Sequence, residues 1–150
     1  MNKAGCVLIN RENKQIGLVY RKKCDDYSFP KGHLEKDETL YECAIRETEE
    51  ETGRKCKLVS EKEIGIIEYT NFEGNIKTYM YLAIDEGLTD KVIDEKDKEN
   101  LVWVNYDDVI DKLSYQNLKD FWKKIEVRVK KIWGIKFCLY LVNCYFLLLF

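Results

Sequence analysis

Proline and histidine each occur once in the 150 residues, as Pro30 and His33, three positions apart. A chain this poor in proline is neither a polyproline linker nor a collagen-like repeat. With one histidine, and six cysteines (Cys6, Cys24, Cys43, Cys56, Cys138 and Cys144) of which no two stand at CxxC spacing, the ligand pattern of a structural zinc site is missing. An excess of one charge sign is missing too: 25 basic against 27 acidic residues give a net charge of −2. That balance offers no broad basic footprint, so a nucleic-acid polymer is not an expected partner. The N-terminus, MNKAGCVLIN, lacks the apolar core of a secretory signal. A cytoplasmic location with free thiols follows as the expectation. What is present, 45% apolar and 35% charged residues in a length suited to one core, fits a soluble globular domain rather than a disordered chain.

Along the chain, Gly5–Asn10 and Ile16–Tyr20 are short apolar runs across the polar stretch Arg11–Lys14, which predicts a β-hairpin. Lys22–Asp26 reads as a loop and Phe29–His33 as a turn. A helix is predicted from Thr39 to Thr52: Thr39 with Glu42 has the form of a capping box, and Gly53 is a natural stop. Leu40, Cys43, Ala44 and Thr48 recur at helical spacing and should face the core. The end of Lys57–Tyr69 and Lys77–Ile84 read as a second hairpin around Phe72–Asn75, Asp85–Asn100 as an exposed polar loop, and Leu101–Val104 as a short strand. Asp107–Leu113 and Asn117–Val129 read as helices. This order predicts an α+β, or mixed α/β, layered domain over residues 1–131.

The last stretch, residues 132–150, differs in kind. It carries one charge, Lys136, and nineteen helical residues would span about 28 Å, close to the hydrocarbon thickness of a bilayer. Arg128, Lys130 and Lys131 precede it as positive charges precede a span on the cytoplasmic side. A membrane tether, a segment packed on the domain and a non-native extension remain the three readings.

Chemistry concentrates in the predicted helix. Glu47, Glu50 and Glu51 stand at i, i+3 and i+4 and so share one face. Like charges at that spacing cost about 0.2–0.5 kcal/mol per exposed pair, and burial adds to the cost because the carboxylates then resist ionising together. A hard divalent cation such as Mg²⁺ or Mn²⁺ reverses the sign, because it prefers oxygen ligands. Arg46 is within reach of Glu38 and would fix the preceding loop, and a backbone carbonyl near Gly32 would add another oxygen ligand. Taken alone, Glu49–Glu51 reads better as an ordinary solvated acidic run, and only the complete spacing changes that.

The full spacing, Gly32-x5-Glu38-x7-Arg46-Glu47-x-x-Glu50-Glu51-x-Gly53, resembles the Nudix box at all seven fixed positions. Thr48 and Arg54 stand at its two apolar positions. Arg54 suggests a helix exit more exposed than is usual in the family. The resemblance implies an α/β/α sandwich with a mixed sheet between helices. It implies Mg²⁺-dependent attack of water on a diphosphate of a small nucleotide. In this reading Glu47, Glu50, Glu51 and the Gly32 carbonyl hold the metal, and Glu38 with Arg46 supports them. Glu47, Asp97 and Glu99 are the candidate general bases. Lys31 and Arg21 are candidate phosphate contacts, with His33 a weaker one. Tyr27 and Tyr115, and less so Phe72 and Tyr81, are candidates to stack on a base. The segment Tyr27–His33 is similar to that of Nudix hydrolases of dinucleoside polyphosphates such as diadenosine tetraphosphate. A nucleoside triphosphate pyrophosphatase acting on oxidised dGTP is the alternative. A non-catalytic nucleotide sensor, or a membrane-tethered one, is the reading from another class.

Overall fold

The computed structural model describes the backbone of residues 1–147 and the side-chain surroundings of residues 1–134. Eight strands form one mixed sheet: β1 (Asn2–Asn10), β2 (Gln15–Arg21), β3 (Asp26–Ser28), β4 (Lys31–His33), β5 (Arg54–Leu58), β6 (Gly65–Asn71), β7 (Gly74–Leu88) and β8 (Asn100–Asn105). The central path runs β3-β2-β1-β7-β5, with β4 beside β1, β6 beside β7 and β8 beside β2. Among the described residues, only the β1–β7 pairing is parallel; the others are antiparallel.

Helix α1 (Leu40–Thr52) covers one face of the sheet. Cys43 and Ala44 pack there against Ala4, Cys6, Leu8, Tyr81 and Ala83. A one-turn 3₁₀ segment (Tyr106–Asp108), helix α2 (Val109–Lys112) and helix α3 (Gln116–Leu147) follow β8. Leu118, Phe121, Trp122, Ile125 and Val129 of α3 close the other face over Val7, Ile9, Leu18 and Phe29. Alternation along β1 sends Cys6 and Leu8 to α1 and Val7 and Ile9 to α3, so this strand is buried on both sides. The layers are helix, mixed sheet, helix, as the resemblance implies.

Several boundaries differ from the sequence reading. Phe29–His33 is not only a turn: Lys31–His33 pairs with Lys3–Gly5 of β1. Strand β5, Arg54–Leu58, lies where no strand was expected, and β7 continues through Asp85 to Leu88 to pair with it. Arg54 is not an exposed exit. Its guanidinium donates to Asp85 at 2.8 and 2.6 Å and lies 5.7 Å from the centre of the Trp103 ring. Two flat partners thus take the place of an apolar neighbour.

Ile132 belongs to the core and Trp133 packs edge-on to Tyr106, so the domain's packing continues past Lys131. From residue 135 onward the tethering question lies outside the described side chains. Among the described residues, no helix is long and apolar enough to cross a membrane. Cys6, Cys24, Cys43 and Cys56 are free thiols.

The polar stretch between β7 and β8 has both ends fixed on the C-terminus of α1. Thr89 N–H donates to the Gly53 carbonyl and Glu99 N–H to the Glu51 carbonyl, each at 2.9 Å. These bonds use carbonyls that a helix end leaves without intrahelical donors.

Candidate active site

The phase of α1 is set at both ends. Glu42 N–H donates to Thr39 Oγ1 at 3.2 Å and Thr39 N–H donates to Glu42 Oε2 at 2.9 Å, completing the capping box. Gly53 ends the helix at φ 68°, and its N–H donates to the Glu49 carbonyl at 2.8 Å. Between these points Glu47, Glu50 and Glu51 face one cleft of about 1000 Å³, which is large for a small-molecule site.

Gly32 lies against Glu47. A β-carbon there would stand 2.1 Å from the Glu47 carboxyl, so glycine is what lets strand β4 approach that carboxylate. The Cys43 thiol lies 3.7 Å from the Gly32 carbonyl and 3.4 Å from that of His33, joining β4 to the helix from behind.

Arg46 does more than hold Glu38. Its guanidinium donates to both Glu38 oxygens at 2.7 and 3.0 Å and to the His33 carbonyl at 2.9 Å. Its remaining nitrogen reaches Glu47 at 2.9 Å and Glu50 at 3.0 Å. The long side chain thus crosses the angular gap that separates Arg46 from Glu47 on the helix. Glu51 accepts from Lys31 N–H at 2.9 Å.

Burial pushes the Glu47 carboxyl above the usual carboxylate range, against the pull of Arg46. It pushes Glu51 up likewise, with Lys31 opposing, and burial pushes the Lys31 ammonium down, with Glu51 opposing. Among the described residues, no three acidic, histidine or cysteine side chains are already drawn together as a closed metal cage. The three carboxylates instead share a wall, each held by Arg46 or by the Lys31 backbone. Their hard oxygens, together with the burial of Glu47 and Glu51, fit a divalent oxygen-seeking cation.

Arg21, Ser28, Lys31 and Tyr115 also line the cleft. Arg21 is paired with Asp26, which is 3% exposed and also accepts from the Tyr115 hydroxyl at 2.5 Å. Burial alone would raise the Asp26 carboxyl, but hydrogen bonds from Arg21 and Tyr115 outweigh it and hold the group below its ordinary value. Ser114 Oγ accepts from Tyr27 N–H at 2.8 Å, which fixes the turn carrying Tyr115 against β3.

Tyr27 itself does not line the cleft. Strand alternation turns it away from Asp26 and Ser28, so that its ring meets Tyr20 at 5.0 Å and the Lys112 ammonium at 4.3 Å. Tyr81 is buried under α1 and does not line the cleft. His33, Phe72, Asp97 and Glu99 do line the cleft. Lys3, Tyr69, Glu73 and Asn117 line the cleft and Asp26 pairs with its residues Arg21 and Tyr115; the sequence reading missed these five. Only Asp26 had a usable signal, its period-two spacing from Ser28 in a short strand that follows Arg21.

The profile of the NUDIX domain matches residues 1–124. The chain belongs to the Nudix family. The 8-oxo-(d)GTP phosphatase of Mycolicibacterium smegmatis is 34% identical over 101 residues, covering 67% of this chain and 30% of that protein. The m7GpppN-mRNA hydrolase of Caenorhabditis elegans is 30% identical over 107 residues, covering 70% of this chain and 14% of that protein. This Nudix chain therefore spans less than a third of the length of either curated relative. The crystal structure of the C. elegans Ap4A hydrolase superposes with a TM-score of 0.68 at 20% identity, covering 85% of this chain and 97% of that one, and supports the fold.

Proposed function

We propose that this Nudix protein is a divalent-metal-dependent hydrolase of nucleoside polyphosphates. The observation that carries the reading is the cleft, in which Glu47, Glu50 and Glu51 share one wall with Gly32 while Lys31 and Arg21 stand along the rest. Glu47, Glu50, Glu51 and the Gly32 carbonyl would hold Mg²⁺, or Mn²⁺ in its place. The bound ion supplies charge neutralisation of the diphosphate and a lowered pKa for the attacking water. Arg46 with Glu38 positions this wall and does not touch substrate. Lys31 and Arg21 bind phosphate oxygens, and Tyr115 forms an aromatic side of the cleft. Water adds to one phosphorus, the bridging P–O bond breaks, and the water proton passes to a carboxylate. Glu47 and Glu99 fit that last role better than Asp97. Glu99 is half-buried and anchored through its backbone to Glu51, whereas Asp97 is exposed.

For the substrate we favour a dinucleoside polyphosphate such as diadenosine tetraphosphate. The size of the cleft, with Tyr69, Phe72 and Tyr115 among the residues that line it, supports a ligand that carries two bases. The identity to an 8-oxo-(d)GTP phosphatase favours a second reading, removal of diphosphate from an oxidised nucleoside triphosphate.

The test is product analysis with and without Mg²⁺ on diadenosine tetraphosphate, nucleoside triphosphates, 8-oxo-dGTP, ADP-ribose and capped RNA. Preferential release of ATP plus AMP from the dinucleotide is the expected result. Preference for 8-oxo-dGTP would transfer the assignment to the second reading. Binding without cleavage of any of them would sink the hydrolase reading in favour of a sensor.

A further inference from the structure

Lys3 and His33 are cross-strand partners in the β1–β4 ladder, and the next pair on the same face is Gly5 with Lys31. Gly5 has no side chain, and a β-carbon there would collide with the Pro30 carbonyl at 2.1 Å. One face of this two-strand floor therefore presents Lys31, a gap, and then Lys3 beside His33. The tip of the β6–β7 hairpin, Asn71–Gly74, comes over the Lys3–His33 pair. The Glu73 carboxylate lies 3.7 Å from Lys3 Nζ through one oxygen and 3.5 Å from His33 Nε2 through the other. Asn71 orients it, donating to Glu73 Oε2 at 3.2 Å and accepting from Glu73 N–H at 2.8 Å. Lys3 is only 14% exposed along its side chain, an unusual place for a lysine at the end of a strand.

We propose that Lys3 and His33 form a further phosphate-binding subsite of the cleft, and that Glu73 fills it as an internal anion until a polyphosphate displaces it. The inference rests on reading the cleft as a polyphosphate site. Two donors already hold a carboxylate with its oxygens divided between them, and a phosphate offers more oxygens and more charge to the same pair. Both contacts are longer than a good hydrogen bond, so exchange sacrifices little. Displacement frees the hairpin tip that carries Phe72, which is 98% exposed at the cleft mouth. A hydrogen bond from Asn71, with the charge of Lys3, holds the Glu73 carboxyl below its ordinary value, so the competitor is an anion at neutral pH.

The experiment is calorimetric titration of inorganic tripolyphosphate, without metal and with Mg²⁺, into the full chain and its Glu73→Gln, Lys3→Met, Lys3→Arg and Glu73→Gln/Lys3→Met variants. Glu73→Gln should tighten binding about 3- to 10-fold, and Lys3→Met should weaken it about 10-fold. Lys3→Arg should restore most of the loss, which separates charge from folding. In the double variant the gain from Glu73→Gln should vanish, as coupled sites require. Unchanged affinity in Lys3→Met or in Glu73→Gln, or a gain that persists in the double variant, would overturn the proposal. Tripolyphosphate carries no base, so a failed cycle removes the subsite and leaves the nucleotide reading standing. A successful cycle with no nucleotide cleaved does the reverse.

Discussion

Glu49 and Glu51 are two residues apart on one helix, and their surroundings are opposite. Glu49 faces the loop that follows β7, where Thr89 Oγ1 donates to it at 2.5 Å and Lys91 Nζ at 2.9 Å. Burial alone would raise its carboxyl, but those two donors outweigh burial and leave it below its ordinary value. Glu51, like Glu47, turns to the cleft, and burial leaves both carboxyls raised. Acidic residues that look alike in sequence thus divide: Glu49 is satisfied by the protein, whereas Glu47 and Glu51 are left in deficit. Stabilising charges are completed by the fold, whereas charges kept for a ligand remain costly until it arrives.

The contrast can be broken most severely on the cleft side. Glu50→Gln should cut Mg²⁺-dependent kcat by at least about 100-fold with little change in Tm, since disturbing even the supports of metal ligands costs about 10- to 100-fold. Wild-type turnover would remove Glu50 from the metal-holding set. Gly32→Ala should come next. Its methyl must push the Glu47 carboxyl aside, and because that group is the end of a flexible side chain, activity should fall far more than Tm. A parallel collapse of Tm would show that Gly32 serves the fold rather than the carboxylate.

On the satisfied side, Glu49→Gln should lower stability by about 1–2 kcal/mol while leaving kcat close to wild type. The pH dependence follows from the lowered carboxyl. The stability that Glu49 adds is complete above the ordinary carboxylate pKa and is lost as pH falls through the still lower folded value. Denaturant midpoints of wild type and variant should therefore converge in acid.

Glu47→Gln should do the reverse in metal-free protein. A raised carboxyl gives its full stability only when protonated, below the ordinary value, and that stability is lost as pH rises through the folded value. At neutral pH the variant should gain about 0.5–2 kcal/mol, and saturating Mg²⁺ should erase the gain. A metal-free Glu47→Gln protein less stable than wild type would end the comparison.

Helix α1 was legible in full because its signals are local: Thr39 and Glu42 at one end, Gly53 at the other, and three carboxylates at fixed helical spacing. Strand β5 was not, since Arg54–Leu58 alternates charge with Cys56 and Leu58 and becomes a strand only by pairing with the far end of β7. Arg54 was misread for the same reason, as its partners Asp85 and Trp103 lie 31 and 49 residues away in sequence. In the site, the box residues announced themselves. Tyr27 was misplaced because an aromatic before a Pro-Lys-Gly turn gives no hint of which side of a three-residue strand it occupies. Lys3 and Glu73 gave no signal, because their meeting depends on how a hairpin tip closes over the start of β1.

The loop between Thr89 and Glu99 has both feet on the last turn of α1, through the carbonyls of Gly53 and Glu51. What lies between those feet is an arch whose length is almost free to vary, since each doubling of a flexible loop costs only about 0.6 kcal/mol. Substitution and insertion can therefore accumulate in the segment that brings Lys96 and Asp97 to the cleft while the helix beneath keeps its place. The architecture separates a part that must stay constant from a neighbouring part that can drift, and so allows selectivity to be revised without rebuilding the machinery it serves.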